Sequence, residues 1–419
     1  MSEPLRIALV ALNSPGYQSL GLAYVRAHAQ EDTRLRGRVA FTTLDLSSDE
    51  DPWWVAYRVL TMEPDVVAFS VMCWNARRIY DAAALIKAAR PDTRIVLGGP
   101  EVSENAHAVL ADNPAVEVVV RGEGEQTFTE LVDVMRNGRK VSYVDGVTAR
   151  ADERIIAAPD RALANLDDLP SPYLTGVLQP LQGSTYLETF RGCPHSCAYC
   201  FEGKGFPQIR SFSPERVKRE VQMITDAGID EFSFIDPVFN LNRSRLELVS
   251  GIMKPFADKG VRLHTIEVDI ERIDAEEAQL LWDAGVRTVE TGPQTVGAKA
   301  LEICDRGFNR ERFITGVESL KNVGISVECD LIVGLPGDTT ADVLQSIAFV
   351  LSVDPGKLQM STLCVLPGTT LWDRADELGL VYNSQPPHEV IQTADIDFAD
   401  LRRLEAYGTA LAARYRARI

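Results

Sequence analysis

Apolar, β-branched runs recur along the first third of the chain, at RIALVAL (6–12), VAFTTLDL (39–46), VVAFSV (66–71), RIVLGG (94–99) and VEVVVRG (116–122). Between them the apolar positions take helical spacing, as in ARRIYDAAALIKAAR (76–90) and EQTFTELVDVMRNG (125–138). Strands that are apolar on both faces and alternate with helices predict a doubly wound parallel α/β sheet. Ligands of such sheets bind beyond the carboxyl ends of the strands. Those ends carry Tyr17 after the first strand and Ser70, Met72, Cys73, Trp74 and Asn75 after the third. Gly98, Gly99 and Glu101 follow the fourth, and Arg121, Gly122 and Glu123 follow the fifth. Glycines there let a ligand approach the backbone closely. No G-x-G-x-x-G stands after the first strand, so a dinucleotide fingerprint is not supported.

A hairpin pattern (143–159) and the polar, proline-containing stretch DDLPSPY (167–173) then interrupt the alternation. They predict a linker over 143–180 that separates a sheet domain, 1–142, from a second domain over 181–385. The second domain repeats the strand pattern at TYLETFRG (185–192), EFSFID (231–236), RLHTIEVD (262–269), TVETGPQ (288–294), SVECDLIVG (326–334) and KLQMSTLCV (357–365). Six β/α units predict a parallel barrel, or an open six-unit version of one, with reactive groups at the carboxyl ends of the strands. Strand alternation sorts the faces: Glu267 and Asp269 oppose Ile266 and Val268, and Glu328 and Asp330 oppose Val327, Cys329 and Leu331. Glu290, Gly292 and Gln294 share one face in the same way. Outward faces must pack on helices, so these acidic residues are expected to point inward, toward polar ligands. The tail, 386–419, ends in an amphipathic helix with Leu401, Leu404, Leu411 and Tyr415 on one side, expected to pack on the barrel.

Composition narrows the functional classes. Sixty acidic against 43 basic residues leave a net charge of −17, which argues against a general phosphate-backbone binder. No apolar run reaches the roughly 20 residues of a membrane helix, and MSEPLRIALVAL lacks the basic start and cleavage site of a signal peptide. A cytoplasmic monomer without nucleic-acid or membrane partners is expected. Of the seven cysteines, Cys193, Cys197 and Cys200 lie within eight residues. A tight cluster in a chain of this size points to metal or catalytic chemistry rather than to disulfides. Three thiolates can wrap one corner of an iron–sulfur cluster and leave one iron open, since a standard [4Fe–4S] site uses four. Structural zinc is the alternative, with His195 as a strained fourth ligand. Cys304, Cys329 and Cys364 fall in apolar patterns that suit small core residues, Cys364 near enough a strand end to face a substrate.

The C-x3-C-x2-C spacing, with Tyr199 before the last cysteine, resembles the signature of the radical S-adenosylmethionine (SAM) superfamily. Gly292-Pro293-Gln294-Thr295, Asp330–Gly337 and Leu366-Pro367-Gly368-Thr369 strengthen the resemblance, and VVAFSVMCWN, IVLGGPEVS and VVVRGEGEQTFTEL resemble the cobalamin-binding domain that precedes some of these enzymes. The resemblance implies a [4Fe–4S] cluster on Cys193, Cys197 and Cys200, with SAM on its open iron and an electron donor such as flavodoxin or ferredoxin. It implies SAM contacts at Tyr199, Phe201, Asp236 (amine), Glu267 (ribose), Gln294 and Arg306. It also implies cobalamin at the strand-end residues of the first domain. Many cobalamin domains carry D-x-H-x-x-G; His28, His107, His195, His264 and His388 lie in no such motif, so cobalamin is expected base-off without a histidine ligand. Trp74 would then cap the lower face of cobalt, or be a core aromatic at a helix start.

The activity implied is radical methylation of an unactivated carbon of a small molecule, with methyl passing from SAM through cobalamin. Radical rearrangement or cyclisation and polar C-methylation are the enzymatic alternatives, and a cobalamin-binding regulator with a redox-sensing cluster is the non-enzymatic one. The acidic interior favours an amine-bearing or polyhydroxylated substrate. Absence of further cysteine clusters counts against methylthiolation.

Overall fold

The computed structural model describes residues 3–202 and 208–416. The chain divides into two compact units, Met1–Gln179 with Gln385–Pro387, and Pro180–Ser384 with His388–Ile419. Among the described residues no helix is long and apolar enough to cross a membrane.

The first unit is built on a seven-stranded sheet of order β2-β1-β3-β4-β5-β6-β7. Its parallel part comprises β1 (Leu5–Asn13), β2 (Val39–Ser47), β3 (Val66–Ser70), β4 (Arg94–Gly98) and β5 (Val118–Val120). Both faces are covered, as the uninterrupted apolar runs require. Ala8, Val10 and Leu12 of β1 enter one core, and Ile7, Leu9 and Ala11 enter the other. The order 2-1-3-4-5 reverses direction between β1 and β3, and the crevice at such a reversal is where ligands of open sheets bind. The hairpin expected within the linker instead continues the sheet. β6 (Val147–Ala151) pairs antiparallel with β5, and β7 (Arg154–Ala157) pairs antiparallel with β6. Val147 and Ala149 are fully buried in the second core, and that burial draws the hairpin onto the sheet edge.

The second unit is an open, partial parallel barrel. β8 (Tyr186–Leu187), β11 (Glu231–Phe234) and β12 (Arg262–Leu263) form a three-stranded parallel set. β13 (Ile266–Glu267), β14 (Thr288–Gln294), β15 (Ser326–Val333) and β16 (Lys357–Thr362) form a four-stranded one. A bridge from Leu263 to Val286 links the two sets. The run expected as one strand over 185–192 divides. After β8 the chain turns, and β9 (Phe190–Arg191) pairs antiparallel with β10 (Arg210–Ser211). The cause is a contact from a distant segment: the Asp236 carboxylate takes the Thr189 backbone N–H at 2.6 Å, which removes that donor from the parallel ladder. β15 alternates as its sequence predicts, with Val327, Cys329, Leu331 and Val333 buried and the intervening residues partly open. Cys304 and Cys329 are core residues. The terminal helix Phe398–Arg416 packs on β16 through buried Leu401 and Leu404, with Gly408 set close to the Met360 side chain. The Tyr415 side chain lies outside the described residues.

Two adjacent glycines at the end of β4 differ in what they tolerate. Gly99 has φ +118°, and a Cβ there would stand 2.4 Å from the Val71 carbonyl oxygen; a Cβ on Gly98 would meet ordinary contacts at 3.6 Å. Gly99→Ala is therefore expected to destabilise the first unit by about 1–3 kcal/mol, with Gly98→Ala close to parent. Urea unfolding of the two variants checks this, and equal midpoints would contradict it.

Candidate functional site

The cysteine loop follows β9, and segments distant in sequence hold it. The Ala198 N–H donates to the Cys304 carbonyl at 2.8 Å, and the Leu371 N–H donates to the Ala198 carbonyl at 2.9 Å. Within the loop the Cys200 N–H turns back to the Cys197 carbonyl at 3.0 Å, and Ser196 donates to the Asp305 carboxylate. The result brings Cys193, Cys197 and Cys200 to the wall of one cavity of about 400 Å³. Burial raises the thiol of Cys193 and pushes that of Cys200 up to about 11, so a bound metal would have to displace their protons.

Three thiols facing one cavity with no fourth thiolate fit a cluster with an open iron. They do not fit zinc, because His195 is turned to Asp269 (Nε2 to Oδ2, 3.5 Å), which also pairs with Arg272 at 3.0 Å. Among the described residues no three His, Cys, Asp or Glu side chains converge as a single-ion site requires.

The same cavity receives carboxylates from successive barrel strands: Glu267 of β13, Glu290 of β14 and Asp330 of β15. Glu267 and Glu290 are register partners. Burial, with Glu290 and Glu202 nearby, pushes the Glu267 carboxyl up to about 7. Asp330 is raised by burial and then by Glu290, to which it is hydrogen-bonded, so the Asp330 carboxyl holds its proton more tightly than a free one. β14 bulges between Thr291 and Gln294, leaving Gln294 left-handed at φ +63°. A Cβ on Gly292 would stand 2.4 Å from the Asp330 carbonyl oxygen, so the two strands close to backbone contact at the cavity wall. Arg306 spans the space, donating to the Cys197 sulfur at 3.4 Å and to the Gly292 carbonyl.

Of the residues expected around SAM, Tyr199, Glu267, Gln294 and Arg306 line this cavity, and Phe201 does not. Asp236 requires a correction. It is 1% exposed, and its oxygens accept the Thr189 backbone N–H, the Thr189 hydroxyl and the Phe190 N–H. A carboxylate so enclosed braces the turn into β9 and offers nothing to a ligand. Glu202, Glu271 and Asp305 line the cavity without having been singled out in the sequence. Glu202 stands two residues after Cys200, the nearest thing to a signal for any of them.

In the first unit the candidate residues sit in the loops at the carboxyl edge, on both sides of the β1/β3 reversal. Tyr17 and Trp74 are exposed, Trp74 by 58%, which excludes its reading as a core aromatic. Ser70, Met72, Cys73, Gly98, Gly99 and Glu123 are part-open, and Gly122 is exposed. Three others are enclosed or bonded within the unit. Asn75 is 2% exposed; its amide donates to the Leu12 carbonyl at 3.0 Å across the reversal, and its oxygen takes the Met72 N–H at 2.8 Å. Arg121 is committed to the Ala158 carbonyl and to Asp160 at 2.6 Å. Glu101 is buried beside Cys73 and Tyr80.

Two family models match the chain: "B12 binding domain" over residues 10–132 and "Radical SAM superfamily" over residues 187–350. The chain thus carries a B12-binding domain followed by a radical SAM domain. It is 28% identical over 367 residues to an uncharacterized methyltransferase of Pyrococcus horikoshii, covering 85% of this chain and 78% of the relative. It is 27% identical over 396 residues to the cobalamin-dependent radical SAM methyltransferase TokK of Streptomyces tokunonensis, covering 88% of this chain but 56% of TokK. The fold is shared with the radical SAM methyltransferase TsrM of Kitasatospora setae, at TM-score 0.75 and 18% identity, over 96% of this chain and 89% of TsrM.

Two outcomes follow for this radical SAM chain. Glu267 and Asp330 bind protons more tightly folded than unfolded, so their contribution to stability is present in acid and is lost as pH rises from the ordinary carboxylate range. For Glu267 the loss is complete once pH passes about 7. The cluster-free protein should melt at lower temperature as pH rises from 5 to 8, and Glu267→Gln should flatten that dependence. A profile unchanged by the substitution would refute it. Anaerobic reconstitution should load about four irons per chain, and Cys197→Ala should lose both the iron and SAM cleavage; stable zinc without iron uptake would overturn this assignment.

Proposed function

We propose that this chain is a C-methyltransferase that uses SAM and cobalamin to methylate an unactivated carbon of a small molecule. The observation that carries the reading is the single cavity shared by the three thiols, the carboxylates of β13–β15, Gln294 and Arg306. Bound there, a [4Fe–4S] cluster and SAM supply a radical initiator, and cobalamin in the first unit supplies a methyl carrier. Cys193, Cys197 and Cys200 would hold the cluster, leaving one iron for SAM. Tyr199, Glu267, Gln294 and Arg306 would position SAM, a sulfonium cation that an acidic wall attracts. Tyr17, Ser70, Met72, Cys73, Trp74, Gly98, Gly99, Gly122 and Glu123 would cradle the corrin, with Trp74 assigned to its lower face. The carboxylates that SAM leaves free favour an amine-bearing or polyhydroxylated substrate. Three closely spaced thiols in one loop suit a reducing cytoplasm and a flavodoxin- or ferredoxin-type electron donor.

The placement of the first unit's own histidines supports base-off cobalamin without a histidine ligand. His28 is bonded to Thr129 at 2.8 Å on the helix Leu20–Glu31, and His107 lies on the helix Ala106–Asp112; neither belongs to the strand-end loops. Electron paramagnetic resonance of the cob(II)alamin form should show no nitrogen superhyperfine splitting, and its presence would contradict the assignment. A SAM molecule either transfers its methyl group, leaving S-adenosylhomocysteine, or takes one electron and breaks its sulfur–5′-carbon bond, leaving methionine and a 5′-deoxyadenosyl radical that becomes 5′-deoxyadenosine on taking a substrate hydrogen atom. With true substrate, the two coproducts and CD3-labelled product should form in about a one-to-one-to-one ratio. Labelled product with S-adenosylhomocysteine alone would establish polar methylation, and deoxyadenosine with an unlabelled product would establish rearrangement or cyclisation.

A further inference from the structure

The three thiols are not equivalent in what surrounds them. Cys193 takes a backbone N–H from His195, and Cys200 takes one from Glu202. Cys197, the most enclosed of the three, takes side-chain donors instead: the Arg306 Nη1 at 3.4 Å and the Tyr199 hydroxyl. Arg306 is not a loose surface cation. Its other terminal nitrogen is tied to the Gly292 carbonyl at the β14 bulge, and the turn just before it is anchored because the Cys304 carbonyl accepts the Ala198 N–H at 2.8 Å. Among the described residues that line the cavity it is the one permanent cation, alongside Glu202, Glu267, Glu290 and Asp330. A guanidinium stays charged at any working pH, and its planar fork can serve two acceptors at once, which a lysine ammonium on a flexible stem does less well.

We infer that Arg306 is a positioning residue that sets the reduction potential of the cluster by holding a fixed positive charge on the Cys197 sulfur. The inference rests on the cluster assignment under Proposed function. Reduction adds one electron, from a low-potential donor, to a cluster already wrapped by three thiolates. The reduced form carries the extra negative charge, so a cation hydrogen-bonded to a ligating sulfur favours it. Hydrogen bonds to the sulfurs and net local charge are the recognised levers on such potentials. The carboxylates on the same wall act in the opposite sense, so without Arg306 the field on Cys197 would be acidic. The Tyr199 hydroxyl is the neutral counterpart and should have the smaller effect.

The test is an anaerobic redox titration of the full-length, reconstituted protein without SAM, followed by electron paramagnetic resonance, with iron content measured on the same samples. Dithionite and mediator dyes are the probes. Arg306→Gln should lower the midpoint by at least tenfold in the one-electron equilibrium, about 59 mV. Arg306→Lys keeps the charge but cannot hold both Gly292 and Cys197, and should fall between Arg306→Gln and the parent. Tyr199→Phe should shift less than Arg306→Gln. A merely structural arginine would change iron content without moving the midpoint of the clusters that do load. A parent-like midpoint in whichever Arg306 variant loads iron overturns the inference, as does failure of both variants to load while the parent does. If the parent itself takes up no iron, the cluster assignment falls instead.

Discussion

The backbone of Ala198 is pinned from both sides, its N–H to Cys304 and its carbonyl by Leu371. The residue is 1% exposed, so neither group has water as an alternative partner. An unmade bond to a buried backbone group costs about 1–3 kcal/mol, which ties the cysteine loop to two distant segments at once. Everything at the cavity depends on that tie. The Cys304 segment that accepts the Ala198 N–H continues into Asp305, which takes the Ser196 hydroxyl, and Arg306, which reaches Cys197. The three thiols, their cation and the wall of the cavity are therefore one mechanical assembly.

The carboxylates of the second unit fall into two kinds, and burial with different partners separates them. Asp236 is enclosed by the donors of Thr189 and Phe190 and serves to turn the chain from β8 into β9. Glu267 and Asp330 face Glu290 and each other, and so hold their protons more tightly than free carboxyls do. Desolvated carboxylates in mutual contact are unfavourable, and an apolar wall would be the more stable choice. Their presence on one wall therefore comes at the expense of the empty protein's stability.

The first unit solves a different problem. Its strands are apolar on both faces and leave polar chemistry to the loops at the carboxyl edge. Asn75 joins the ends of β1 and β3 by bonding Leu12 and Ser70, and Gly99 allows its loop to lie against the Val71 backbone. Those two residues shape the edge, while Tyr17, Trp74 and Gly122 remain open along it.

Local pattern determined a large part of this protein. Doubled apolar runs set the parallel sheet, and alternation along TIEVD and VECDL placed Glu267 and Asp330 on the inner face. The spacing of Cys193, Cys197 and Cys200 marked the candidate site, because a tight loop of three thiols is legible within eight residues. Only the tertiary structure decided which polar residues were left to act. Asp236 is taken up by a residue 47 positions away, and Arg306 finds Cys197 across 109 positions. His195 turns to Asp269, and the hairpin expected in a linker closes the sheet edge. Periodicity reports which face a side chain occupies. Which donor satisfies a buried carboxylate, and which cation meets a thiol, depends on contacts between segments that no local window contains.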